Sequence, residues 1–334
     1  MTVAWPEMMK SHWMTVAAGV ATLELKDTPL PKPGPSQILV RMRAASLNRG
    51  EFILAYGLHS KGAGAKAIGM EAAGEVVACG AAVKAFMPGD RVMGRCPGAF
   101  AEFVVMDERE AMSVPANLSW QEAATIPLVF LVVYDMLVLQ GKLTSDEWLL
   151  VAGVTSGVGV GSLQLAKALG ARVIGTSGSQ AKLDRLKALS LDVGLCTRSP
   201  DFHEAVMSAT GGKGVNLVVN AVGGSVFAEC VKSMAFEGRL ATVGYVDGVM
   251  GGAMDIEALH AKRLTLFGVS NKLRNADQKA QSLPAFNAQV LPLFAQGRIK
   301  PFVDKAFAFD QLAQAKAFMD GNGQVGKIVL NGPA

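Results

Sequence analysis

Along the chain the apolar positions change period near the middle. Before residue 126 they fall in short alternating runs at 38–42, 73–78, 91–93 and 101–105, separated by turns such as 29–35 and Pro88-Gly89-Asp90. Alternation with period two broken by Gly and Pro predicts β-strands. From residue 148 to about 269, strand-like runs instead alternate with amphipathic stretches: 148–151, then 160–169; 172–176, then 180–189; 215–220, then 225–235; 238–243, then 255–260; and finally 264–269. A third strand lies between the second helix and Arg198, which makes six. Such alternation predicts parallel strands joined by helical crossovers, a doubly wound sheet whose ligand lies over the crevice where the strand order reverses. The last segment predicts a long helix over 285–296, another over 310–319 and a closing strand over 326–330, folded back onto the first domain.

The fold class predicted is therefore α/β. A doubly wound cofactor domain spans 127–270, and a mostly-β domain is built from 1–126 and 271–334. At 334 residues and 50% hydrophobic, the chain is long enough for two such cores. No stretch supplies the roughly 18 apolar residues of a membrane helix, and no basic region precedes a hydrophobic run at the N-terminus, so the expected location is cytoplasmic with no membrane partner. Net charge is +4 with Lys and Arg scattered, which gives no basic tract for nucleic acid. Cys79, Cys96, Cys196 and Cys230 stand far apart without a CxxC pair; free thiols are expected, and no metal site.

The segment VAGVTSGVGVG at 151–161 joins the first strand of the alternating region to its first helix. A glycine-rich turn there presents backbone N–H groups at a helix N-terminus, where a dinucleotide pyrophosphate binds well. At the end of the second strand an NAD site carries Asp or Glu for the ribose hydroxyls. Here the strand ends Val173-Ile174-Gly175-Thr176-Ser177-Gly178-Ser179 with no acid. Ser177 and Ser179 offer hydroxyls, and Lys182 and Arg198 offer cations, a combination suited to the 2′-phosphate of NADPH. The competing reading leaves Ser177 and Ser179 as helix caps and Lys182 and Arg198 as solvated charges.

Taken in order, these motifs resemble the medium-chain dehydrogenase/reductase superfamily, and within it the zinc-independent quinone oxidoreductases. The resemblance is carried by Ala45-Ser46-Leu47-Asn48 with Glu51, Gly69-Met70-Glu71 with Ala73-Gly74-Glu75-Val76, Pro88-Gly89-Asp90-Arg91-Val92, Gly98-Ala99-Phe100-Ala101-Glu102-Phe103, the glycine-rich turn, Ala221-Val222-Gly223-Gly224, Gly238-Arg239-Leu240 and Gly326-Lys327. It implies a GroES-like catalytic domain beside the Rossmann domain. It also implies that Thr155, Ser156, Gly157, Val158 and Gly159 line the pyrophosphate. Ala221, Val222 and Gly223 with Gly244 and Tyr245 would lie along the nicotinamide half, Phe267, Gly268 and Val269 would meet the carboxamide, and Lys327 would close over the same ligand. A homodimer or tetramer paired through the sixth strand, at 264–267, is likewise implied by resemblance.

Zinc-dependent relatives place Cys where this chain has Asn48 and His where it has Met70, and their structural-zinc cysteines are missing between Arg95 and Phe100. Asn and a thioether are poor zinc ligands, and without a Lewis acid alcohol oxidation loses its usual support. Hydride transfer from NADPH to a quinone or to the β-carbon of an enone remains, with the cofactor supplying the reactive hydride. Enoyl thioester reduction, zinc-type alcohol oxidation and a non-catalytic NADPH-binding or redox-sensing role are the alternatives. Asn48 has three readings: a hydrogen bond to the acceptor carbonyl, one to the nicotinamide ribose, or a satisfied turn amide. Tyr56, His59 and Tyr134 are the candidate proton donors. The glycine-rich loop at 57–64 suits a lid, and 248–252 a segment that orders on binding. Two departures stand out: Val132 replaces a threonine common near the nicotinamide, and Ile53 replaces a tyrosine that several quinone reductases place on the acceptor side.

Overall fold

The computed structural model describes residues 5–17, 20–56 and 64–333. The chain divides into two units, one of residues 1–128, 283–295 and 301–334 and one of residues 129–282 and 296–300.

The first unit carries eight strands in its N-terminal part: β1 (Met8–Ala17), β2 (Val20–Pro29), β3 (Gln37–Ser46), β4 (Gly64–Ala67), β5 (Glu71–Cys79), β6 (Arg91–Arg95), β7 (Phe103–Asp107) and β8 (Ala111–Ser113). The second unit carries β9 (Trp148–Ala152), β10 (Arg172–Ser177), β11 (Val193–Cys196), β12 (Val215–Asn220), β13 (Met234–Thr242) and β14 (Thr265–Gly268). The chain then returns to the first unit with β15 (Val303–Phe307) and β16 (Lys327–Asn331).

In the first unit a seven-stranded sheet runs β15-β16-β3-β5-β6-β8, with β7 also paired to β3, and a smaller sheet runs β2-β1-β4. β3 is central because its alternate residues Ile38, Val40 and Met42 enter a core with Phe52, Phe100, Met106 and Phe307. The β1–β2 hairpin, which hydrophobic alternation does not announce, pairs in register from Met8 with Pro29 to Ala17 with Val20. Its buried positions include Ser11 and His12, so the apolar stripe is interrupted. His12 lies within 2.7 Å of the Phe309 carbonyl, a hydrogen bond that lets a polar ring sit inside. Burial depresses the His12 pKa, partly offset by that bond.

The second unit's sheet has the order β11-β10-β9-β12-β13-β14, all neighbours parallel. This is the expected doubly wound sheet, and it reverses between β9 and β12. Leu149, Leu150, Val151 and Ala152 are fully buried, as a central parallel strand covered on both faces requires. Thr176 and Asn220 both stand opposite Ala152, so the ends of β10 and β12 flank the turn that leaves β9.

Some expected elements are redrawn. The single helix over 285–296 is two, Leu283–Gln289 and Leu291–Ala295. Pro292 has no N–H to continue the hydrogen-bond ladder, so the chain restarts rather than running through. The helix expected over 225–235 is confined to Phe227–Lys232, because β13 already begins at Met234. No helix among the described residues is long and apolar enough to cross a membrane.

Candidate functional site

The glycine-rich turn is shaped by contacts only glycine permits. Gly153 takes a positive φ of 84° as the chain leaves β9. Ser156 caps the following helix, Gly157–Ala168: its Oγ accepts from Gly159 N at 3.0 Å and donates to the Gly153 carbonyl at 2.8 Å. A Cβ on Gly159 would stand 2.4 Å from the Gly153 carbonyl oxygen, and one on Gly175 2.6 Å from the Val154 Cβ. Helix, turn and second strand therefore approach more closely than side chains allow. Thr155, Ser156, Gly157, Val158 and Gly159 lie together on this turn and the first helical turn, where N–H groups and the helix dipole favour an anion.

The end of β10 collects the other polar groups. Ser177 is buried; its hydroxyl lies 3.5 Å from the Thr155 hydroxyl and accepts from Ser179 N at 3.3 Å. Ser179 precedes the helix Gln180–Leu186 but its side chain makes no capping bond, which leaves the hydroxyl unassigned by helix formation. Lys182 is on the first turn of that helix. The Arg198 side chain lies over Gly178, where an added Cβ would meet its Nε at 2.3 Å. It is exposed and carries no ion pair among the described residues. Two hydroxyls and a guanidinium thus meet at one bend, with no carboxylate in the 173–179 segment.

The residues expected along the nicotinamide half form one substructure. Asn220, buried at the end of β12, accepts from Val222 N and Gly223 N at 3.0 Å and donates to the Gly223 carbonyl at 2.9 Å. Gly223 has a φ of 133°. Gly244 and Tyr245 follow β13, Phe267 and Gly268 end the edge strand β14, and Val269 follows it.

Among the described residues, three of the expected catalytic and closing residues, Asn48, Tyr56 and Lys327, lie in the first unit, and Asn48 and Lys327 belong to a buried charged cluster. Glu71, fully buried at the start of β5, accepts from Ser46 Oγ, Asn48 Nδ2 (2.9 Å), Lys327 Nζ (3.1 Å) and Leu128 N (2.7 Å). Lys327, on β16, donates also to the Leu47 carbonyl (2.9 Å) and to Asn48 Oδ1. An ammonium has three protons, so these three oxygens account for all of them. Asn48 Nδ2 donates as well to Glu51 Oε1 (3.2 Å), and Asn48 N to Glu51 Oε2 (3.0 Å). With both amide protons engaged, what Asn48 has left is a lone pair on Oδ1. In the sequence Glu51 and Glu71 stand out only as motif residues; their spacing to Lys327, 256 positions from Glu71, gives no local signal.

In this nearly dry volume Lys327 pairs with Glu71, while Glu51 takes its hydrogen bonds from Asn48. Burial raises the Glu51 carboxyl from its ordinary value to about 7, against the Asn48 N–H bond and the Lys327 charge that favour the ionised form. Burial, with Glu71, Glu110 and Glu51 nearby, likewise pushes the Cys96 thiol far up, so it is not a nucleophile. Tyr56 ends the short helical segment Arg49–Tyr56, whose final side chains fall outside the described residues, as do His59 and most of the expected 57–64 lid. Tyr134 is fully buried, and burial raises its phenol pKa.

A catalytic zinc needs about three Cys, His or carboxylate ligands and an open position. Met70 is 45% exposed beside Glu71, whose oxygens are already engaged four times. Among the described residues no group of three His, Cys, Asp or Glu is placed to hold a metal ion, and this donor set does not fit zinc.

Comparison with known proteins gives the class. Residues 34–116 match the alcohol dehydrogenase GroES-like domain, and residues 157–283 the zinc-binding dehydrogenase domain. A solved NAD-dependent alcohol dehydrogenase is 30% identical, over 97% of this chain and 99% of that one, with a TM-score of 0.84. A mycobacterial protein solved in complex with NADPH is 26% identical, over 97% and 99%, with a TM-score of 0.87. The chain belongs to the medium-chain dehydrogenase/reductase family of oxidoreductases. A further relative is the spectinabilin polyketide synthase system protein NorB of Streptomyces orinoci, 31% identical over 97% of this chain and 14% of its own length. The chain spans 8 to 14% of the length of the curated relatives it matches.

Proposed function

We propose that the protein is an NADPH-dependent reductase that delivers hydride to an alkene or quinone conjugated with a carbonyl, without zinc. The observation that carries the reading is the pairing of two features: a glycine-shaped phosphate turn at 153–159, and Ser177, Ser179 and Arg198 at the bend where an NAD site keeps an acid. A phosphate with nearly two negative charges gains charge-assisted hydrogen bonds from such groups, whereas a bare ribose gains little. When bound, NADPH supplies the hydride. The chain's own part is to hold it: the 155–159 turn at the pyrophosphate, Ser177, Ser179, Lys182 and Arg198 at the 2′-phosphate, and the 221–223, 244–245 and 267–269 segments along the nicotinamide half.

The buried cluster narrows the role of Asn48. Its amide protons are held by Glu71 and Glu51, so it serves a hydroxyl as an acceptor and does not donate to an acceptor carbonyl. Lys327, with all three protons engaged, acts as a strut rather than a ligand contact. The donor set around Asn48, Met70 and Glu71 supports a reaction that needs no Lewis acid, which favours alkene reduction over alcohol oxidation.

Among activated alkenes, an enoyl thioester is favoured by the relatives themselves, several of which are polyketide synthases, proteins that build acyl chains. Soluble homo-oligomeric enzyme, dimer or tetramer, is the assembly this reading carries, with a small-molecule acceptor as its partner.

The test is an assay of purified protein with a panel of quinones, enones and enoyl thioesters, NADPH against NADH, together with metal analysis. NADPH oxidation with at least one acceptor class, a preference for NADPH that collapses in Arg198→Ala, and zinc far below one per chain are expected. Stoichiometric zinc, or faster turnover of a primary or secondary alcohol with NAD than of any alkene or quinone with NADPH, would refute the reading.

A further inference from the structure

We propose that Asp247 is a positioning residue for the dinucleotide: its carboxylate latches the 243–252 loop onto the 221–225 turn and so presets the two peptide segments along which the nicotinamide half lies. The inference rests on the reading that the second unit binds NADPH.

The latch is built from both chemical ends of the residue. The Asp247 carboxylate accepts from Ser225 N (2.9 Å), from Ser225 Oγ and from Val249 N (2.9 Å). Its backbone N–H donates to the Val222 carbonyl at 3.0 Å, and Gly224 N donates to the Val249 carbonyl at 2.7 Å. The loop lies flush on the turn. A Cβ on Gly223 would stand 2.0 Å from Asp247 Oδ1, and one on Gly224 2.0 Å from the Gly251 carbonyl oxygen. The paired glycines after β12 are therefore explained by this contact as well as by any ligand.

Polar bonds dominate what holds the middle of the loop. Tyr245, Val246, Val249 and Met250 are all exposed, and the apolar contacts of the stretch are limited to the half-buried Val243, Val249 against Gly224 and Gly252 against Phe227. Its position depends on the polar bonds that converge on Asp247, several of them charge-assisted. The same bonds decide which donors remain. Val222 N and Gly223 N go to Asn220, Gly224 N to Val249 and Ser225 N to Asp247. Gly244 N and Tyr245 N have no hydrogen-bond partner among the described residues. The latch satisfies the turn internally and leaves the two loop N–H groups for the ligand, at a spacing fixed before the ligand arrives. Preset geometry lowers the ordering entropy that binding must overcome.

The test compares wild type, Asp247→Ala, Asp247→Glu and Ser225→Ala in two measurements. Hydrogen exchange of the unliganded protein is expected to speed up by about tenfold or more at Gly224, Ser225 and Val249 in Asp247→Ala, with the central strands unchanged. Fluorescence titration is expected to show NADPH binding weakened by about tenfold, as loss of one or two charge-assisted bonds implies. Binding of adenosine 2′,5′-bisphosphate, which lacks the nicotinamide half, is expected to stay within about twofold, and Asp247→Glu to recover part of the NADPH affinity. Equal weakening of both probes, or no change in either exchange or NADPH affinity, overturns the latch. If wild type binds neither probe, the cofactor reading fails first and the latch with it.

Discussion

Replacing Glu51 by Gln tests the buried cluster through the pH dependence of folding. Glu51 is 4% exposed and its carboxyl pKa is about 7 in the folded protein, against an ordinary 4.5. The folded state holds the proton more tightly than the unfolded chain, so this group's contribution to stability is complete below pH 4.5 and is lost as pH rises through 7. A displacement of that size corresponds to about 3 kcal/mol at pH 8 and above. Gln cannot ionise, which removes the loss. It also turns an NH2 toward one of the two Asn48 donors at 3.0 and 3.2 Å, at about 1 kcal/mol. The expected result is a crossing near pH 5: Glu51→Gln less stable than wild type by about 1 kcal/mol at pH 4, and more stable by about 2 kcal/mol at pH 8. Urea unfolding followed by tryptophan fluorescence at half-unit steps from pH 4 to 8.5 measures it, since groups common to both proteins cancel in the difference. A difference that stays flat across this range would show that Glu51 does not change its proton affinity on folding, and the account of a Glu51 carboxyl raised by burial would be wrong.

Gly159→Ala places a methyl 2.4 Å from the Gly153 carbonyl oxygen and 2.6 Å from the Val154 backbone; it is expected to lower stability by about 2 kcal/mol and to abolish NADPH binding, checked by calorimetry and titration. Arg239→Ala removes a guanidinium that bonds the Gly141, Lys142 and Asn216 carbonyls and both oxygens of Glu147, a pair with side chains 16% and 20% exposed. A loss of about 2 kcal/mol is expected in the unfolding of the second unit, below the full value for a dry pair because both partners keep some water. In wild type, Glu147, raised by burial but lowered more by Arg239 and Thr144, is held below its ordinary pKa. Its stabilisation is therefore present above the usual carboxylate range and lost as pH falls through the depressed value. Lys327→Met leaves Glu71 without its ammonium and the Leu47 carbonyl without its donor; the first unit is expected to lose about 3 kcal/mol or more, read from urea unfolding, while adenosine 2′,5′-bisphosphate binding is unchanged.

The sequence by itself determined whatever depends on spacing and period. Alternating strand and helix patterns from 148 to 269 specify a doubly wound sheet, because a parallel strand must be followed by a crossover. Glycines at 153, 157 and 159 announce a phosphate turn, the missing acid after residue 176 speaks for a phosphorylated ribose, and Asn48 and Met70 speak against zinc. Each of these is a statement about one short stretch. Tertiary structure decided which atoms meet. The β1–β2 hairpin hides behind a buried His12 that is tolerable only because the Phe309 carbonyl, 297 positions away, lies against its ring nitrogen. Nothing near Lys327 in the sequence announces the oxygens its ammonium reaches in the fold, those of Leu47, Asn48 and Glu71. Asp247 was an ordinary acid in a glycine-rich loop until folding brought Ser225 beneath it. Local pattern fixes where the backbone goes, since hydrogen bonding and burial repeat along an element. The partners of a polar side chain are set by long-range packing, and they decide whether a residue offers a donor to a ligand or keeps it within the fold.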